Sequence, residues 1–94
     1  MKGRQVDVEE RLDWLTGWAE RAEIGVRRER LGGEGGGLCT LKGRRILFLD
    51  LDADVQTRYE TTLLALGGLP ELQNHHIPPI VAEDLERLES SGAD

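Results

Sequence analysis

Residues 45–50, Arg-Ile-Leu-Phe-Leu-Asp, constrain the fold more than any other stretch of this chain. Leu47 and Leu49 alternate onto one side of an extended strand and Ile46 and Phe48 onto the other, so both faces are apolar. Such a strand has to be central: covered on each side or paired at both edges. Leu38–Leu41 precedes it, and Lys42-Gly43-Arg44 between them is a tight turn in which glycine can take positive φ, so the two strands form a hairpin. A helical stripe lies upstream at Val8, Leu12, Leu15, Ala19 and Ala22. Asp7 is its cap, Glu10 completes a capping box, and Gly25 is placed to close it. Gly17, in its interior, costs roughly 1 kcal/mol against alanine.

Val26–Leu31 is short, basic and β-tolerant, and reads as a further strand. Five glycines among residues 32–37 follow as a flexible loop or wide turn. Past the hairpin, Asp54 to Leu66 reads as a second helix with Val55, Tyr59, Leu63 and Leu66 on one face, ended by Gly67-Gly68. Leu69–His76 reads as irregular. Pro78-Pro79 opens a third helix with Ile80 or Val81, Leu85 and Leu88 as its stripe. The expected fold is therefore α+β: a small antiparallel sheet of three to four strands with a central hairpin, packed by two to three helices. It occupies residues 7–89 as one domain, with disordered ends at 1–6 and 90–94.

Ninety-four residues leave room for one core, and four aromatic residues make that core mainly aliphatic. Net charge is −6, with residues 1–50 at +1 and residues 51–94 at −7, which disfavours general nucleic-acid binding. Cys39 is the single cysteine and cannot close an internal disulfide. Met1–Gln5 leads into a charged helix and not an apolar signal segment, and no apolar run is longer than Ile46–Leu49, so the cytoplasm is the expected location.

The segment from Ile46 through Asp50, Asp52 and Asp54 resembles the first motif of haloacid-dehalogenase-like phosphatases, a hydrophobic strand ending in Asp-x-Asp. The resemblance implies Asp50 as nucleophile and Asp52 as general acid, with magnesium balancing charge. The chain departs from that pattern, with Ala53-Asp54 where the family has Gly-Thr, and Lys42 as its last lysine. The 44 residues downstream are also too few for a doubly wound sheet. An alternative role for Asp52 or Asp54 is to cap the second helix. The same aspartates start like an EF-hand loop, but Val55 and Thr61 stand where glycine and a bidentate glutamate are needed. The glycine loop runs on into a strand without Lys-Ser/Thr, and so lacks the marks of a phosphate cradle.

The order of helix, hairpin and helix over residues 20–68 is similar to that of small zinc peptidases carrying His-Glu-x-x-His on the helix after the hairpin. Tyr59–Leu69 contains no histidine, so only a non-catalytic relationship is implied. Gly36-Gly37-Leu38-Cys39 with Gly43–Asp50 resembles small uncharacterised bacterial proteins, a likeness that implies no activity.

Cys39, His75 and His76 are the only soft ligands, and two adjacent histidines on an extended segment point to opposite faces. No cofactor or metal site is expected. Arg28, Arg30, Arg44 and Arg45, with Arg27 and Lys42, are a candidate anion-binding or RNA-backbone patch, or else a set of solvated strand edges. Trp14 and Trp18, four apart on the first helix, are candidate interface anchors. The expectation is a non-catalytic protein–protein interaction module, as a homodimer or a subunit of a small complex. The alternatives are a minimal metal-dependent phosphohydrolase using Asp50 and Asp52, or an anion or RNA-backbone binder using the arginines.

Overall fold

A computed structural model describes residues 7–91. The first helix, α1 (Val8–Arg21), is capped by Asp7, whose side chain accepts from the Glu9 amide. It buries Leu12, Leu15, Trp18 and Ala19. Its end differs from expectation: Glu23, not Gly25, takes the left-handed position, at φ 66°. The Ile24 amide then donates to the Ala19 carbonyl at 2.9 Å and the Glu23 amide to Glu20 at 3.0 Å, the paired bonds of a Schellman ending. Gly25 is thereby freed to begin β1 (Gly25–Glu29).

The hairpin is β2 (Gly36–Leu41) and β3 (Arg44–Asp50). Its turn is only Lys42 and Gly43, at φ 52° and 79°, the two positive angles of a type I′ turn. Gly36 and Gly37 belong to β2 and not to the loop. A Cβ on Gly36 would run into the Phe48 carbonyl oxygen, so only glycine lets the strands meet there.

Among the described residues the sheet has three strands, but it is mixed and not antiparallel throughout. Its order is β1-β3-β2, with β3 antiparallel to β2 and parallel to β1. Strands that follow one another usually pair, which would place β1 beside β2. Here β3 lies between them. The glycine loop instead carries the chain across the end of β3, a span of two strand spacings or about 10 Å.

After the turn at 51–54 comes α2 (Val55–Gly67), then α3 (Pro70–Gln73) and α4 (Pro79–Ser91). The single turn of α3, with Pro70 at its start, replaces the expected irregular stretch and makes four helices among the described residues. Ser90 and Ser91 are helical, and the remaining residues of the expected disordered ends lie outside the described ones. Leu47 and Leu49 meet Leu15, Trp18, Ile24, Tyr59, Leu63 and Leu66 in one core between the sheet and the helices. α2 and α4 approach closely at Gly67, where an added Cβ would sit 2.7 Å from Leu85. Among the described residues, no helix is long and apolar enough to cross a membrane.

Candidate interaction surface

Asp50, Asp52 and Asp54 share a sequence neighbourhood but do three separate structural jobs. Asp50 is fully buried at the end of β3. Its Oδ1 accepts from the amides of Leu31 (2.8 Å) and Asp52 (2.9 Å), and its Oδ2 from those of Gly33 (2.6 Å) and Gly35 (3.2 Å). Burial alone would raise its pKa, but the four backbone donors outweigh it and lower the pKa to about 2. All four lone-pair sites of the carboxylate are thus engaged, three in holding the crossing loop and one in the turn at Asp52. None remains for a metal or for attack on a phosphorus centre.

Asp52 is likewise committed, accepting from Arg30 at 2.9 Å and from the Gly32 amide at 3.1 Å. Asp54 caps α2 by accepting from the Thr57 amide at 2.8 Å, the bond that most lowers its pKa. Among the described residues, no group of three or more His, Cys, Asp or Glu side chains is placed to hold a metal ion.

The arginines divide between the two ends of the sheet. Arg28 pairs in register with Leu49 and Arg30 follows β1, whereas Arg44 and Arg45 begin β3 beside the turn. Four residues of strand, about 13 Å, separate the two groups along β3. Arg30 is bonded to Asp52, and Arg45 to Glu71 at 2.9 Å, a bond that holds the Glu71 carboxyl below its usual range. Arg28 lines a groove of about 160 Å³ between α1 and the start of α2, together with Arg58, Glu9 and Asp13. The six basic residues therefore do not form one patch.

The tryptophans also part company. Trp18 is 4% exposed and belongs to the core, so only the half-buried Trp14 reaches the surface of α1. His75 lies against both, with ring centroids 6.0 Å from Trp14 and 6.4 Å from Trp18. That position is on the helical side, while Cys39 is exposed on the opposite face of the sheet.

A feature the sequence reading missed lies between the helices. Asp84 is buried on α4, where its Oδ2 accepts from Tyr59 of α2 at 2.6 Å and from Arg11 of α1 at 2.9 Å. Arg87 reaches its Oδ1 at 3.1 Å. Burial, and then the hydrogen bond to Asp84, push the Tyr59 phenol well above its usual range. The signal was present: Asp84 falls between Val81 and Leu88 on the buried stripe of α4, where a carboxylate requires partners.

The sheet itself has one covered face. Leu47, Leu49, Val26 and Leu38 point to the helices, so Arg27, Gly37, Cys39, Leu41, Arg44, Ile46 and Phe48 alternate to the other side. No helix packs on that side among the described residues. Ile46 and Phe48 are half-buried, and Cys39 and Leu41 are exposed. The Arg27 guanidinium lies 5.6 Å above the Phe48 ring and is also paired with Glu29. Beside Phe48, the missing side chain of Gly37 opens a recess of about 340 Å³, lined by Leu31, Glu34, Cys39 and the neighbouring backbone. No family model, curated protein or solved structure matches this chain.

Proposed function

We propose that this chain is a non-catalytic protein–protein interaction module, and that its partner covers the outer face of the sheet. One observation carries the reading: Ile46, Phe48, Leu41 and Leu31 form an apolar band on a sheet whose other face is already packed. A contiguous apolar band of this kind on a small domain is the usual mark of an interaction site. The band replaces the first helix as the favoured surface, because Trp18 is spent in the core. The aspartates that would have carried a hydrolytic reading are engaged in loop crossing and helix capping.

Native purification of the wild type and Phe48→Asp tests this reading. The wild type is expected either to bring a companion protein from the lysate or, once concentrated, to show a mass that rises with concentration, and the variant to lose that behaviour. A wild type that is monomeric at all concentrations and brings nothing with it would overturn the proposal.

A further inference from the structure

We infer that the occupant of the outer sheet face is a second copy of this chain, turned about a two-fold axis that lies in the interface and runs across the strands. The inference rests on the interaction-module reading and adds the partner and its orientation. Two features of the face carry it.

The first is the placement of charge. At the hairpin end, Lys42 and Arg44 form no ion pair among the described residues, and at the opposite end neither does Glu34. Other charges near these ends are already matched, Glu29 with Arg27, Asp52 with Arg30 and Glu71 with Arg45. Glu23 sits in the α1–β1 corner, by the other edge strand, and leaves the β2–β3 corner basic. The face is therefore basic at one end, apolar in the middle and acidic at the other. A copy stacked with its strands reversed sets each basic corner over the partner's Glu34, whereas a copy stacked in the same direction opposes like charges.

The second feature is relief. Gly37 and Leu41 lie on the same strand and the same face, each two residues from Cys39. One has no side chain and forms the recess, and the other is 47% exposed and stands proud. A two-fold axis passing at Cys39 lays each Leu41 over the other copy's Gly37 recess, with the two Cys39 thiols facing across the axis. Two sheets facing at about 10 Å is the ordinary spacing of a β-sandwich. Three strands of this length present a flat footprint of roughly 300 Å², against about 800 Å² per partner in a standard stable complex. Association is accordingly weak, in the micromolar to millimolar range.

Sedimentation equilibrium of the full chain across that range tests the inference. A monomer–dimer equilibrium is expected, with Leu41→Asp removing the dimer. Glu34→Lys and Arg44→Glu each raise the dimer Kd several-fold at low salt, and the two together restore it. A short bis-maleimide should link Cys39 to Cys39 in the wild type and not in Leu41→Asp. A dimer indifferent to Leu41→Asp and to the charge exchange would overturn the arrangement. A monomeric wild type whose co-purifying protein is lost in Phe48→Asp would overturn the second-copy inference while leaving the module reading intact. A monomer with no such companion would end both.

Discussion

The Oδ2 atom of Asp50 sits 2.6 Å from the amide nitrogen of Gly33, seventeen residues away in the chain. That bond and those from the Leu31 and Gly35 amides tie the loop between β1 and β2 to the end of the central strand. Parallel pairing of β1 with β3 depends on the loop staying in place. Asp50→Asn should uncouple it, because an amide NH₂ cannot accept from a backbone donor. The expected outcome is a lower urea midpoint, together with faster hydrogen exchange at the Gly33 and Gly35 amides. Unchanged exchange at both would show that the loop holds itself.

The same carboxylate sets a pH dependence. Its pKa is about 2 when folded against an ordinary 3.8, so the folded chain binds this proton less readily than the unfolded one. The stabilisation it supplies is complete above 3.8 and is lost as pH falls towards 2. Asp54 and Glu71 are lowered as well and act in the same direction. Denaturant midpoints measured down this window should fall for the wild type and fall less steeply for Asp50→Asn. Equal slopes would remove Asp50 as a source.

The buried Asp84 network should be costly to break from one side. Asp84→Ala strands the Arg11 guanidinium between helices and is expected to cost about 3–5 kcal/mol. Tyr59→Phe removes one charge-assisted bond and should cost about 1.5–3 kcal/mol. Chemical denaturation of both variants checks the order. A Tyr59→Phe variant as stable as the wild type would mean that the arginines satisfy Asp84 without the phenol.

Two positions in and beside α1 should accept stabilising changes. Glu23 holds a left-handed angle that glycine adopts freely, so Glu23→Gly should add about 0.5–1 kcal/mol. Gly17 is mid-helix, and a Cβ there would come no nearer than 3.5 Å to the Arg21 guanidinium. Gly17→Ala should therefore add roughly 1 kcal/mol. A fall in thermal midpoint for Gly17→Ala would point to an unseen requirement for close approach on that side of the helix.

Local features were legible from residue order. The Asp7 and Asp54 caps, the positive φ of Gly43, the two apolar faces of β3 and the proline start of α4 each depend on residues within one turn or one strand. The stripe of α1 was legible too, with Trp18 nearer to it than Trp14, but not how far burial would extend from it, because a stripe gives a direction and not the width of what packs against it.

Residue order by itself determined the α+β class, the hairpin and most element positions, since periodicity and capping act over a few neighbouring residues. Only the tertiary structure decided that β1 pairs parallel to β3, that Asp50 receives three of its four donors from a loop 15–19 residues away, and that Asp84 joins three helices. The stripe of α4 marks Asp84 as buried, but hydrogen bonds between groups so far apart leave no periodic trace of which partners they join. They are settled by which surfaces the packed core brings within reach, and here the same packing leaves one face of the sheet without a covering helix among the described residues.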